Sequence, residues 1–221
     1  MLFNTVRNQL KNVGYIITLS CFCSSFVFAA SINCTTQNAE QKKICSKQYQ
    51  DQRTKLNNKF LTAYLVTDAP IQLLHDTQKL WLNQIQQCKS KNCYQQQFDV
   101  RLDDLNFYTS MNQTLTQHYL KFEHGDLAKQ PVHIQIHQLD KDKLKIEGIA
   151  YRNPNNRVET QTLSLLAYTT PEQKNLIIDN EKKCQYQFDF QKALLIIKSE
   201  QKDCERFTGI YRLYDELIKA I

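Results

Sequence analysis

The chain has 221 residues, of which 42% are hydrophobic and 23% charged, which is compatible with one or two small domains. Its formal net charge is only +6 at pH 7, and its 28 Lys and Arg form no dense stripe, which argues against a nucleic-acid-binding protein. Four glycines in the whole chain leave little room for loops that cradle a ligand with their backbone.

The first segment, 1–29, predicts a secretory signal peptide. Two basic residues precede a short apolar stretch over 13–28, and the small residues Ala29 and Ala30 follow it. This order is typical of a signal peptide, and the apolar stretch is too short and too rich in Ser and Cys for a membrane span. We predict cleavage after Ala29, with Ala30 as the second choice, and a soluble mature protein, most simply in a bacterial periplasm.

Export bears on the eight cysteines of the chain. Cys21 and Cys23 leave with the signal peptide, so six cysteines remain and the net charge falls from +6 to +4. An even number of cysteines in an exported chain indicates disulfides rather than zinc ligands. The alternative is a lipoprotein anchored at Cys21, although Thr18 stands where a lipobox has Leu.

Helical periodicity dominates the first half of the mature chain. Its apolar residues recur every three to four positions. We predict three helices, over about 36–66, 70–88 and 93–118, with Pro70 at a helix start because proline begins a helix better than it continues one. Trp81 is expected to pack in the core between these helices.

In the second half of the mature chain, apolar and polar residues alternate with the period of a strand. Val132, Ile134 and Ile136 point to one side, and polar residues lie between them. Six further short strands are predicted between polar turns, over 144–146, 160–165, 176–178, 186–190, 195–197 and 207–211. Seven short strands with short turns indicate an antiparallel sheet that curls into a barrel or small sandwich.

The predicted fold class is therefore α+β with two domains. The first is a disulfide-tied helical hairpin or three-helix domain over 30–120, and the second is a small antiparallel β-barrel or sandwich over 125–221. The boundary is expected between Tyr119 and Lys129. A short helix is expected over 215–221.

Four cysteines of the helical half admit three pairings. If the first two helices fold back on each other, Cys88 returns near Cys45, and Cys34 and Cys93 lie at the same end. We favour Cys45–Cys88 with Cys34–Cys93, while Cys34–Cys88 with Cys45–Cys93 stays open. The third pairing, Cys34–Cys45 with Cys88–Cys93, is disfavoured because residues eleven apart on a helix are about 16 Å apart along its axis.

In the second half only Cys184 and Cys204 remain, which predicts a Cys184–Cys204 disulfide. It would close a loop of about twenty residues and contribute about 3 kcal/mol of stability.

The sequence contains no pattern typical of a catalytic site, a cofactor site or a metal site, so we predict a protein that is not an enzyme. His133 and His137 would lie about 13 Å apart on a strand, too far for one ion, and are expected on the surface. Asp103 and Asp104 are expected to form a solvated patch on a helix. The other three histidines are scattered along the chain.

Twelve positions between 34 and 105 form a recognisable pattern. They are Cys34, Glu40, Cys45, Leu56, Asn57, Phe60, Gln78, Trp81, Cys88, Cys93, Arg101 and Leu105. The pattern resembles the N-terminal domain of the LprI-type lysozyme inhibitors. This resemblance implies that the twelve residues have a structural role in a disulfide-tied helical domain.

The resemblance also implies a function: an exported binding protein that blocks a lysozyme or another muramidase by occupying its cleft. The alternative is a non-inhibitory structural or interaction module of the cell envelope. A mature charge of +4 gives no electrostatic steering toward the strongly basic animal lysozymes, so a less basic bacterial muramidase fits better. No cofactor and no nucleic-acid partner is predicted, and the oligomeric state is left open.

Overall fold

Three helices form the first layer of the structure, a computed structural model that describes residues 32, 34, 43–110, 112–155 and 161–214. A short 3-10 turn over Lys47–Tyr49 leads into the first helix. The helices are α1 (Gln50–Val66), α2 (Ile71–Gln86) and α3 (Lys91–Ser110). The Thr67 hydroxyl accepts a hydrogen bond from the backbone N–H of Ala69 (3.1 Å), and Pro70 then caps α2. The break between α1 and α2 thus follows from local turn chemistry.

Apolar residues at helical spacing hold these helices together. Leu56 and Phe60 of α1, Leu74 of α2, and Phe98 and Leu105 of α3 are all buried in one core. Gln52 of α1 contacts Gln95 near the start of α3, and Lys59 in the middle of α1 contacts Thr109 near the end of α3, so the two helices run in the same direction.

Nine strands follow in the described part of the chain. They are β1 (Thr116–Glu123), β2 (Asp126–Leu127), β3 (Val132–Asp140), β4 (Lys143–Tyr151), β5 (Thr162–Thr169), β6 (Leu176–Ile178), β7 (Gln185–Gln191), β8 (Leu194–Lys198) and β9 (Gly209–Tyr214). All pairings are antiparallel, in the order β5-β4-β3-β1-β9-β8-β7-β6, and β2 pairs with β1.

The two end strands of this sheet approach each other and nearly close a barrel. The backbone N–H of Asn180 donates to the carbonyl of Leu166 (2.8 Å), and the buried carboxylate of Asp179 accepts from the N–H of Leu166 (3.2 Å). These bonds tie the segment after β6 to β5. The α+β class with an antiparallel barrel-like domain is therefore confirmed.

Successive side chains of the strands point to opposite faces of the sheet, so the strands contribute to two separate cores. Val132, Ile134 and Ile136 point into the barrel, where they belong to its core. On the opposite face, Leu120 of β1 packs into the core of the helices. The helices thus cover the outer wall of the barrel, and the polar residues of β3, among them Gln135, lie between the two layers.

Two predicted helix boundaries were wrong. Among the described residues the first helix begins at Gln50, so the prediction of one continuous helix from about 36 to 66 was wrong, because Lys43–Cys45 form a turn. The third helix ends at Ser110 rather than at 118, because residues 116–123 form β1, which pairs with β3 on one side and β9 on the other. Pairing on both edges outweighs the local helical pattern.

The favoured pairing of the first four cysteines was also wrong. The structure pairs Cys34 with Cys45 and Cys88 with Cys93, with Cα atoms 5.6 and 5.5 Å apart. Cys45 lies in a turn, so the helical distance that disfavoured its bond to Cys34 does not apply. Cys88 and Cys93 flank a reversal of the chain, where Ser90 accepts a hydrogen bond from the N–H of Cys93 (3.2 Å) and caps α3.

The predicted Cys184–Cys204 disulfide is confirmed, with Cα atoms 5.8 Å apart. The seven predicted strands over 132–211 are all present, and the boundary expected between Tyr119 and Lys129 falls on β1 and β2. The predicted signal peptide, the expected helix over 215–221 and Glu40 lie outside the described residues. Among the described residues, none of the helices combines the length and apolar composition that crossing a bilayer requires.

Candidate ligand-binding cavity

A cavity of about 350 Å³ lies between the helices and the barrel, at the small end of the range of ligand pockets. Its walls come from α2, α3 and the outer faces of β1, β3, β4 and β5, and they are mostly apolar. The apolar side chains that line it include Leu80, Trp81, Phe107, Tyr108, Leu120, Ile149 and Leu166.

One face of α3 supplies the polar residues of the helical wall. Gln97, Arg101, Asp104 and Tyr108 follow each other at steps of four, three and four, so they share the side of α3 that faces the barrel. Trp81 of α2 lies beside them and donates its indole N–H to the backbone carbonyl of Gln97 (2.8 Å). The indole is therefore held in one orientation at the cavity.

A first chain of hydrogen bonds determines how Gln97 is oriented. The carbonyl of Pro154 can only accept, so the amide nitrogen of Gln161 faces it (2.8 Å). The amide oxygen of Gln161 consequently accepts from the nitrogen of Gln97 (2.7 Å). This leaves the Oε1 atom of Gln97 buried without a partner, although the residue is only 1% exposed.

A second chain of hydrogen bonds determines how the side-chain amide of Gln135 is oriented. The carbonyl of Phe107 accepts from the amide nitrogen of Gln113 (3.2 Å), and the oxygen of Gln113 faces Nε2 of His118 (3.0 Å). His118 Nε2 therefore carries the proton, and its Nδ1 accepts from Nε2 of His133 (3.1 Å). His133 Nδ1 then faces the nitrogen of Gln135 (3.4 Å), so the Oε1 atom of Gln135 is left without a partner.

Burial keeps both histidines of this chain neutral. Desolvation, with a smaller electrostatic contribution from His137, lowers the pKa of His118 to about 3. Desolvation also lowers the pKa of His133 well below its usual range, with further lowering by His118 and Arg101. Neutral rings with one N–H each are what the chain of donors and acceptors requires.

The prediction that His133 is a surface residue was wrong, because it is only 8% exposed. The helices cover the face of β3 that carries it. His137 lies further along the same strand, where its Nδ1 is 2.7 Å from the hydroxyl of Thr116.

A buried ion pair stands beside the cavity. Arg101, only 1% exposed, donates from Nε to the amide oxygen of Gln78 (2.9 Å), and its Nη1 lies 3.7 Å from the Asp104 carboxylate. The Tyr151 hydroxyl donates to the same carboxylate oxygen (2.6 Å). Burial raises the pKa of Asp104, and the nearby Arg101 charge opposes that rise.

Asp104 was expected to be solvated, which is wrong, because its side chain is only 16% exposed and bonds across to β4. Its neighbour Asp103 is exposed, as expected, and lies at the edge of the cavity. Glu147 and Glu181 also line the cavity. Glu147 pairs with Lys145 (2.9 Å).

Most residues of the twelve-position pattern lie inside the helical layer. The buried members are Leu56, Phe60, Gln78, Trp81, Cys88, Cys93, Arg101 and Leu105. Asn57 accepts a hydrogen bond from the backbone N–H of Ile32 (3.0 Å) and so ties the preceding segment to α1. Trp81 and Arg101 reach the cavity as well, so they combine core packing with a place at the candidate site.

Sequence reasoning missed Gln97, Gln135 and Tyr151. The only available signal was that the polar face of β3 carries His and Gln rather than Lys or Glu. Within the described part of the chain, no group of three His, Cys, Asp or Glu side chains could hold a metal ion. No protein-family model, no curated protein and no solved structure matches the chain.

Proposed function

We propose that this is an exported binding protein, without catalytic activity, that holds a small organic molecule in the cavity between the helices and the barrel. The observation that carries the proposal is the pair of buried amide oxygens on Gln97 and Gln135 that have no partner. A buried acceptor without a hydrogen bond costs about 1–3 kcal/mol, and native proteins keep few of them. A bound molecule that donates to these oxygens would remove that cost.

The titratable groups at the cavity favour binding over catalysis. Arg101 and Asp104 are engaged with each other, and His133 is held neutral inside a hydrogen-bond chain. The six cysteines among the described residues are all paired, so none of them is a thiol nucleophile. Asp103 and Glu181 also line the cavity outside these pairs, but both are exposed carboxylates at its edge, whereas a catalytic acid, base or nucleophile is held against the reacting atoms of the bound molecule.

Three disulfides support the export part of the proposal. They join Cys34 to Cys45, Cys88 to Cys93, and Cys184 to Cys204. Disulfides persist in oxidising compartments and are rare in the reducing cytosol. The signal peptide predicted over 1–29 fits the same compartment.

Trp81 makes the binding proposal directly testable. It is the only tryptophan of the chain, and it lines the cavity. The disulfide-intact protein should be screened against a chemically diverse set of small molecules by tryptophan fluorescence and by thermal shift. A true ligand should change the fluorescence and raise the melting temperature at the same concentrations.

A matched pair of variants separates the cavity from the rest of the surface. Ile149→Phe fills the cavity and should abolish the binding of any ligand found. Ile210→Phe, on an exposed position of β9 that does not line the cavity, should leave binding unchanged. If no molecule in the screen binds, or if Ile149→Phe binds as well as the unmodified protein, the proposal is wrong.

A muramidase inhibitor is the second candidate, and one observation favours a protein partner. Leu61 and Leu65, one turn apart on α1, are 56% and 69% exposed, and Val66 beside them is 57% exposed. Exposed apolar patches often mark protein contacts. The buried members of the twelve-position pattern supply no such surface, so the pattern itself supports the helical fold rather than a contact.

Lysozyme-driven clearing of a cell-wall suspension tests this candidate. The protein should slow clearing by at least one muramidase of a panel, and the double variant Leu61→Asp, Leu65→Asp should lose the effect. Leu176→Asp, an exposed apolar position on β6, is the control and should retain it. Unslowed clearing with every muramidase would reject the inhibitor candidate.

A further inference from the structure

We infer that the molecule bound in this cavity is a small organic cation, a primary amine carried on an apolar, aromatic body. The inference rests on the proposed function, because it names the ligand class for the same cavity. It follows from the direction of the hydrogen bonds, from the charges at the edge and from the aromatic walls.

The first argument is that the cavity offers acceptors. Both hydrogen-bond chains start at backbone carbonyls, those of Pro154 and Phe107, which can only accept. Each chain therefore ends with a glutamine whose nitrogen is used and whose oxygen is left over, Gln97 in one and Gln135 in the other. A ligand that carries only acceptors, such as a carboxylate or a ketone, cannot satisfy these oxygens.

A third acceptor strengthens this argument. Gln84 of α2 also lines the cavity, is 3% exposed and has an Oε1 atom without a partner. An ammonium group has three donors and no acceptor, so it suits a cavity whose unpaired polar atoms are acceptors.

The second argument is the sign of the charge. Among the described residues, four carboxylates line the cavity, those of Asp103, Asp104, Glu147 and Glu181, against one guanidinium, that of Arg101. That guanidinium is engaged by Gln78, Thr77 and Asp104 and is not left over for an anionic ligand. After the Arg101–Asp104 and Lys145–Glu147 pairs are set aside, Asp103 and Glu181 remain, and their field attracts a cation.

The third argument is the nature of the walls. Trp81, Phe107 and Tyr108 line the cavity together with aliphatic residues. An aromatic or aliphatic body buries apolar surface against them, and a cation near the face of an aromatic ring gains further attraction. The volume of about 350 Å³ limits the ligand to a small molecule.

Three phenyl compounds of similar size test the inference: 2-phenylethylamine, 2-phenylethanol and 3-phenylpropionate. Each is titrated at pH 7 into the full mature protein with its disulfides intact, with Trp81 fluorescence and calorimetry as readouts. We expect the amine to bind at least tenfold more tightly than the alcohol, and the carboxylate not to bind measurably. Added salt should weaken amine binding and leave alcohol binding unchanged.

Variants identify the groups responsible. Gln135→Leu should weaken amine binding at least tenfold, whereas Gln187→Leu, on the outer face of β7 away from the cavity, should not change it. Because a buried substitution can disturb folding, Asp103→Asn at the exposed edge is the second variant. It should weaken amine binding severalfold and leave alcohol binding as it was.

The outcomes separate this inference from the proposed function. Equal binding of amine and alcohol, or tighter binding of the carboxylate, would overturn the amine assignment while the cavity remains a binding site. The same holds if none of the three compounds binds but the broad screen yields another ligand that Ile149→Phe abolishes. Failure of every compound in both experiments would overturn the inference and the proposed function together.

Discussion

His118 and His133 are both buried, and their ring centroids lie 5.3 Å apart. Each is neutral in the folded protein because the hydrogen-bond chain needs one N–H and one bare nitrogen on each ring. The folded state therefore resists protonation that the unfolded chain accepts.

Acid should therefore destabilise the protein below pH 6.5, the ordinary pKa of histidine. Because the pKa of His118 falls to about 3 in the folded state, the unfolded chain binds more protons between these two values, and stability is lost as the pH falls. The loss is about 1.4 kcal/mol per pH unit for each such histidine. Urea denaturation at a series of pH values measures it.

Variants assign this pH dependence to the pair. His133→Gln should flatten the dependence between pH 6.5 and 4, and His124→Asn, at an exposed turn, should not. A dependence that stays as steep in the His133→Gln variant would show that other groups cause it.

The Arg101–Asp104 pair gives a second prediction at the scale of single residues. Asp104→Asn removes the carboxylate opposite a guanidinium that is 1% exposed, and breaking a buried pair in this way costs about 3–5 kcal/mol. Tyr151→Phe removes only one hydrogen bond to that carboxylate and should cost about 1.5–3 kcal/mol, the value for a hydrogen bond to a charged group. Urea denaturation of the two variants measures both losses of stability. Equal losses would contradict the ion-pair account.

Single residues also show how far the sequence could predict the site. Trp81 was expected in a core because it follows helical spacing, and it is buried. His133 was expected on the surface, on the polar side of its strand with its neighbour Gln135, because a strand with alternating polarity is normally half solvated. Their burial follows from the helices that cover β3, and a pattern within one strand carries no information about what covers it.

At the scale of elements, the disulfides differ in the length of the loop that they close, and this length sets their expected contribution to stability. The Cys88–Cys93 bond spans 5 residues and the Cys184–Cys204 bond spans 20. In the chain-entropy account, replacing the first pair by Ser should cost about 2 kcal/mol and replacing the second about 3 kcal/mol. Denaturation of the two double variants measures both, and a larger cost for the short loop would contradict this account.

Gly148 tests how tightly β4 packs inside the barrel. A Cβ atom at this position would lie 2.9 Å from Cδ1 of Ile134 and 2.9 Å from Cε1 of Phe207. Gly148→Ala should therefore destabilise the protein by about 1–3 kcal/mol through overpacking. Gly125→Asn is the control, because nothing lies within 4 Å of that position and Asn tolerates its positive φ of 85°. Equal melting temperatures for the two variants would contradict the tight packing at Gly148.

The sequence predicted some elements and missed others, and the difference has a physical reason. The strands over 132–211 were found because each alternates over a short run between polar turns. β1 was missed because its residues 116–118 continue a helical pattern, and its strand conformation depends on pairing with β3 and with β9, the second of which lies far along the chain. The pairing of Cys34 with Cys45 was missed because it depends on a turn at Lys43–Cys45 that no periodicity reports.

At the scale of the whole molecule, the helices and the barrel are joined by specific bonds as well as by apolar contact. Asn155 donates to the carbonyl of Gln87 (2.7 Å) and accepts from the N–H of Lys89 (2.8 Å). Tyr214 donates to Asp76 (2.7 Å). Two independent domains, as the change in periodicity suggested, would not need such bonds.

We therefore expect the helices and the barrel to unfold together. In urea, the fluorescence of Trp81, which reports on the helical layer and the cavity, should change at the same concentration as the β-sheet signal in circular dichroism. Asn155→Ala removes two bonds between the layers and should lower both midpoints equally. Asn106→Ala, on an exposed position of α3, should change stability by less than about 0.5 kcal/mol. A fluorescence transition that precedes the circular dichroism transition would mean that the helices detach first, and the cavity would then open before the barrel unfolds.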